Sequence, residues 1–216
     1  MAVCMKDVAN QTISKHGKLS SEERNLLSIA YQNTVNPAMT AWNVFSEIEK
    51  KETVKENPIR KNIVKTYKEK VGNEVRNICI EILELIDGLL SQDILADDPE
   101  SKALYYKIKA DSYQYLTEIS TVPSEKRSFA SQCLDAYNAA SNIASQEMQP
   151  SHPLRLSIAL NFAKFYSDVL KDRKQGAGIA EKAFLAALNE LDTLHEDAYK
   201  DVQHIMLQLK DLSDRF

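Results

Sequence analysis

The fold class predicted from the sequence is all-α. Apolar residues recur at helical spacing over long stretches that are bracketed by capping signals. Only 5 Gly and 6 Pro occur in 216 residues, nearly all between those stretches. Few runs of Val, Ile and Thr alternate with polar residues as half-buried strands would.

Start and stop signals divide the chain into about eight helices. The first is expected through Val3, Met5, Val8 and Ile13, ending near His16-Gly17 with the glycine in a left-handed cap. Ser20-Ser21-Glu22-Glu23 reads as a capping box, in which the Ser20 hydroxyl and the Glu23 carboxylate each satisfy an otherwise open amide of a second helix running to about Glu52. Asn57-Pro58 opens a third helix with a cap residue followed by a proline whose missing N–H costs nothing there. Val71, Val75, Ile78, Ile82, Leu85 and Leu89 then alternate steps of four and three, the seam of the longest helix.

Asp98-Pro99 repeats the cap-and-proline device before a fourth helix ending near Ser120, and Pro123-Ser124-Glu125 starts a fifth. Met148 to Pro153 is a tight connector before the sixth, Asp172 to Gly178 separates the sixth from the seventh, and His195-Glu196-Asp197 precedes the eighth. Long neighbours joined by short loops make an antiparallel bundle or solenoid. No self-similar period marks a regular repeat array.

Composition narrows the function. A formal charge of −4 with no stripe of Lys and Arg argues against a nucleic-acid binder. Cys4, Cys79 and Cys133 are odd in number and far apart, which favours free buried thiols in a reducing, cytoplasmic setting over a disulfide framework. The N-terminus lacks the pattern of a signal peptide and no long apolar run occurs, so the chain is expected to be neither secreted nor membrane-spanning. Catalysis finds no support: there is no H-E-x-x-H, C-x-x-C, glycine-rich phosphate loop or G-x-S-x-G. Asp192-x-x-His195 and Asp201-x-x-His204 straddle one helix start and cannot face each other as metal ligands, while His16 and His152 read as cap or turn residues. No cofactor is expected.

The block Arg24-Asn25-Leu26-Leu27-Ser28-Ile29-Ala30-Tyr31, followed by Trp42 and by Phe45, Ser46, Glu47, Ile48 and Glu49, resembles the signature of the 14-3-3 family. So do Met148-Gln149-Pro150-Ser151-His152-Pro153-Leu154-Arg155-Leu156, Ala159-Leu160-Asn161-Phe162, Glu190-Leu191-Asp192-Thr193-Leu194 and Tyr199-Lys200-Asp201. The resemblance implies one 14-3-3-like domain over residues 1–216, a curved array of helices with a concave groove for an extended, phosphorylated segment of a partner protein. It also implies that the family's first short helix and acidic tail are lacking. Tyr67 and Lys70 match dimer-facing positions, and with the opposing helix absent a monomer or an altered, weakened dimer is expected.

A phosphoserine carries about −1.5 to −2 charge and needs convergent cations. By the resemblance these would be a lysine and an arginine on the signature helix and an arginine two helices on, beside a tyrosine. The corresponding positions are Gln32, Met39 and Gln114, with Tyr115 keeping the hydroxyl; Ala38 takes the place of the companion arginine. Charge-assisted hydrogen bonds contribute roughly 1.5–3 kcal/mol each, so losing three removes about 5 kcal/mol, on the order of a thousandfold in affinity. Taken alone, neutral residues at these places are equally what any helix face carries. Lys107, Asp111, Gln114 and Glu118 share one face of the fourth helix, and without arginines to orient, Asp111 and Glu118 are expected to leave it neutral to acidic.

The resemblance assigns Leu160 and Asn161 to holding the peptide, Asn being able to donate and accept at once. Lys107 matches a groove lysine; Lys164 replaces a usual apolar residue, Asp168 a glutamate, and Leu212 a second asparagine. Lys107 and Lys164 together are one possible displaced anion site; alternatively Lys164 and Asp168 form an ordinary i, i+4 pair worth about 0.3 kcal/mol. The expected function is therefore an adaptor that binds an extended segment with weak or absent phosphate recognition. The alternatives are an ordinary phosphoserine or phosphothreonine adaptor using Lys107 and Lys164, and a structural subunit that binds no peptide.

Overall fold

The computed structural model describes residues 2–15, 17–51, 56–92, 95, 97–190 and 196–214, and among these no strand occurs. Among the described residues eight helices follow one another: α1 (Ala2–Ser14), α2 (Ser21–Lys50), α3 (Pro58–Leu90), α4 (Pro99–Ile119), α5 (Pro123–Glu147), α6 (Pro153–Lys164), α7 (Arg173–Leu188) and α8 (Glu196–Ser213). A π-helical turn, Phe165–Val169, extends α6. The chain divides into two compact units, residues 1–94 with 115–127 and residues 95–114 with 128–216.

Local chemistry sets most helix starts. The Glu23 amide donates to the Ser20 hydroxyl at 3.3 Å and the Ser20 amide donates to the Glu23 carboxylate at 2.8 Å, closing the capping box. The backbone amide of Ser20 holds the Glu23 carboxyl below its ordinary pKa. The Asn57 side chain accepts from the amides of Ile59 and Arg60, both at 3.1 Å, and Asp98 accepts from Ser101 at 3.0 Å. His152 caps α6 through Nδ1, which accepts from the Leu154 amide at 3.3 Å. His16, residues 52–55 and the first acid-x-x-His pair lie outside the described residues.

In the first unit α2 lies along α3, and α1 packs on both. Val75, Cys79, Ile82, Ile86 and Leu89 of α3 are buried together with Leu27, Ala30 and Val35 of α2. The expected seam is thus observed, except that Val71 and Ile78 are only half-buried. Tyr31 donates to Glu81 at 3.1 Å, and Lys6 pairs with the same carboxylate at 3.2 Å, so one acid ties three helices. Burial, then the Glu81 charge, pushes the Tyr31 pKa up. The Lys68 ammonium stands 4.9 Å from the Trp42 ring and 2.7 Å from Glu49, a second link between α2 and α3. Pro37 lies inside α2, where it removes an i to i−4 bond.

In the second unit one cluster joins Leu156, Leu160 and Ala163 of α6 with Ala180 and Ala187 of α7 and Val202, Met206, Leu209 and Leu212 of α8. Another joins Ala110 of α4, Cys133, Ala136 and Tyr137 of α5, and Phe162 and Phe165.

Three local expectations are corrected. Gly17 does not take the left-handed conformation; α1 ends instead with the Gly17 amide donating to the Thr12 carbonyl at 2.9 Å. Cys4 is exposed rather than buried, whereas burial raises the Cys79 pKa to about 12 and keeps that thiol protonated. The stretch from Asp172 to Gly178 is no separator. Lys171, at φ 61°, supplies the left-handed residue that ends the π-helical turn, and the Asp172 amide donates back to the Tyr166 carbonyl at 2.9 Å. Asp172 then caps α7 by accepting from Gln175 at 3.0 Å, so both glycines fall inside the helix.

Gly176 is there for space. A Cβ would collide with the Ser167 hydroxyl and lie 2.7 Å from the Ala163 carbonyl oxygen. Gly176→Ala is therefore expected to cost about 1–3 kcal/mol by overpacking. Ser167→Ala is expected to be neutral or stabilising, because that buried hydroxyl has no hydrogen-bond partner. Urea denaturation of both variants checks the contrast; equal stabilities would refute the close-approach account.

Candidate functional site

Lys107, Asp111 and Gln114 fall at steps of four and three on α4 and so share a face. Asp111 is the point on which the surrounding polar side chains converge. Its Oδ2 accepts from Lys107 Nζ at 2.8 Å, and its Oδ1 accepts from the Tyr137 hydroxyl at 2.6 Å and from Asn161 Nδ2 at 3.0 Å. The same hydroxyl lies 3.2 Å from Gln114 Oε1. A phenol has one proton to give, and the shorter, charge-assisted contact to the carboxylate takes most of it.

Packing explains this aim. Tyr137 is fully buried, its ring stacked on Phe162 with centroids 5.2 Å apart and tilted against Phe165 at 5.8 Å. With the ring fixed, only the polar tip reaches α4. Lys107 is 4% exposed, so its charge is withdrawn from solvent and met by Asp111. This face is expected from the sequence to be neutral to acidic, and at Asp111 the charge is cancelled where it stands.

The other predicted positions are distributed as follows. On α2, Gln32 is exposed, whereas Met39 is 5% exposed and part of the core, as is Ala38. Within the same unit the Tyr115 hydroxyl donates to Asn36 Oδ1 at 3.1 Å, beside Pro37. Leu160 and Leu212 sit in the core cluster of α6, α7 and α8, 6% and 7% exposed, and present little apolar surface. Lys164 reaches across to α8, where its ammonium donates to Gln208 Oε1 at 2.8 Å; Asp168 is exposed. Tyr67, 52% exposed on α3, stacks on Phe45 with centroids 6.0 Å apart, and Lys70 is exposed nearby on the same helix.

Three residues of these arrangements escaped the sequence reading: Asn36, Tyr137 and Gln208. Tyr137 carries the one usable signal, a tyrosine at a core position of an amphipathic helix, whose hydroxyl must find a partner when buried.

No metal-binding group of His, Cys, Asp or Glu occurs among the described residues, and no helix among them is long and apolar enough to cross a membrane. Comparison with known proteins decides what the helices belong to: residues 1–214 match the family model described as 14-3-3 protein. The chain belongs to the 14-3-3 family. It is 43% identical over 211 residues to mouse 14-3-3 protein theta, covering 98% of this chain and 82% of that one. Against 14-3-3 protein beta/alpha-A of Xenopus laevis the identity is 42%, with 98% and 83% covered; against 14-3-3-like protein B of Vicia faba it is 41%, with 98% and 78% covered. Membership of the 14-3-3 family supports a protein-binding adaptor rather than an enzyme.

The buried pair makes a stability prediction. Asp111→Asn leaves Lys107 without its counter-charge and is expected to cost about 3 kcal/mol or more, as breaking buried pairs does. Adding Lys107→Met should restore most of the loss. Chemical denaturation of the single and double variants reads this; an Asp111→Asn protein as stable as the parent would refute the pairing.

Proposed function

We propose that this 14-3-3 protein is an adaptor that binds extended segments of partner proteins without depending on phosphate. One observation carries the proposal: Lys107, the lysine that shares the Asp111–Gln114 face of α4, is buried and bonded to Asp111 at 2.8 Å, so its charge is spent inside the protein. Supporting it, the three positions that the family resemblance assigns to phosphate-gripping cations hold an exposed amide, a core methionine and a glutamine whose oxygen faces Tyr137. Tyr115 retains its hydroxyl. Asn161 spends one amide hydrogen on Asp111 and keeps its carbonyl oxygen and second N–H for a peptide backbone.

The alternative, a displaced phosphate site made by Lys107 and Lys164, draws less support. Drawing Lys107 onto a ligand would strand the Asp111 carboxylate, and Lys164 is engaged with Gln208. A subunit that binds no peptide is the remaining reading.

A titration of a phosphoserine peptide and its unphosphorylated twin tests the proposal. The natural chain is expected to show no preference between them. Restoring two cations, Gln32→Lys and Gln114→Arg, while leaving the core residue Met39 intact, should create a phosphate preference of about a hundredfold, from roughly 1.5 kcal/mol per bond. Submicromolar, phosphate-dependent binding by the natural chain would refute the proposal.

A further inference from the structure

A cleft of about 290 Å³ lies within the second unit, between α5, α6 and α7. Arg155, Ala159 and Phe162 fall at steps of four and three on α6, so one face of that helix borders it, and Lys182 and Ala186, a step of four apart, border it from α7. None of the residues that the family resemblance assigns to the peptide groove lines it. Side-chain size explains the space: Ala144 on α5, Ala159 on α6, and Ala183 and Ala186 on α7 stand where larger residues would close the gap between packed helices. With the buried Phe162 ring they form an apolar wall.

The charged part of the lining has one sign. Arg155 and Lys182 border the cleft, and no Asp or Glu does. Arg155 is held in place, because its Nη1 donates to the Met148 carbonyl at 2.7 Å and to the Ser145 carbonyl at 3.5 Å, at the end of α5. Both acceptors are neutral, so these bonds fix the guanidinium without cancelling its charge, and Nη2 and Nε carry further N–H donors. Lys182 is exposed on α7. A second cation would be repelled here, and a small, wholly polar anion would leave the apolar wall wet. An amphipathic anion satisfies both parts: its tail displaces water from the wall, and its carboxylate accepts from the guanidinium.

We infer that this cleft is a binding site for a free medium-chain carboxylate, a fatty acid of about eight carbons, with its chain along Ala159, Phe162 and Ala183 and its head group at the rim formed by Arg155 and Lys182. The volume sets the class. It matches the lower end of ligand clefts, roughly 300 Å³, and is too narrow for an α-helix about 10 Å across. This site is independent of the adaptor role proposed above.

Carbon-13 NMR of the alanine methyl groups, with octanoate, octanol and octylamine titrated in turn at neutral pH, tests the inference. Octanoate is expected to bind with a dissociation constant on the order of a millimolar and about tenfold more tightly than the other two, as one charge-assisted bond provides. The methyls of Ala159 and Ala183 should shift, while that of Ala38 in the first unit should not. Lys182→Glu, a change at an exposed position, should abolish the preference for octanoate, and Ala186→Phe should weaken all three ligands by filling the space. Equal binding of the three, shifts confined to alanines outside the cleft, or a preference that survives Lys182→Glu would overturn the site. Should Ala186→Phe fail to fold by circular dichroism, the Lys182→Glu titration decides alone.

Discussion

The ionised carboxylate of Asp111 is the constraint that organises the second unit's polar interior. Three donors from three helices converge on it: Lys107 on α4, Tyr137 on α5 and Asn161 on α6. A carboxylate that is largely withdrawn from solvent, beside a buried lysine, is tolerable only when paired and hydrogen-bonded. Each partner is fixed in turn, Tyr137 by the phenylalanines around its ring and Asn161 by its helix. Removing the charge would release the lysine, the phenol and the amide together.

On the proposed reading that arrangement bears on function: a cation committed to an internal acid cannot also meet an external anion without exposing the acid, so this face of α4 would offer Gln114 and a satisfied Asp111 in place of positive charge. Elsewhere in the unit a polar link joins α6 to α8, where Lys164 donates to Gln208 and the Gln208 amide lies 2.7 Å from His204. The π-helical turn after Lys164 shapes the same region. It inserts a residue, lets Gly176 approach the Ala163 carbonyl, and seats α7 against α6.

What could be read from the sequence was what local chemistry decides. Ser20 with Glu23, Asn57 with Pro58, and Asp98 with Pro99 mark helix starts within a few residues, and the structure has helices at each. The seam read from periodicity, Val71 to Leu89, is buried at Val75, Ile82, Leu85 and Leu89, while Val71 and Ile78 are only half-buried. By contrast, the glycines at 176 and 178 suggested a loop because glycine usually punctuates; the reason for Gly176 is the proximity of Ser167 and Ala163, which no local rule contains. Tyr137 and Asp111 are 26 residues apart in sequence, and Asn161 and Asp111 are 50 apart, so their convergence depends on how helices pack. Lys164 was read with Asp168 because i, i+4 pairing is visible along one helix, while Gln208, 44 residues away, is not.

The central claim is that the Lys107 charge is consumed within the protein. A crystal structure of the chain grown or soaked with a phosphoserine peptide tests it most directly. The account predicts Lys107 Nζ still bonded to Asp111, with no phosphate oxygen within hydrogen-bond reach of Lys107. A phosphate held by the Lys107 ammonium, with Asp111 turned away, would contradict it.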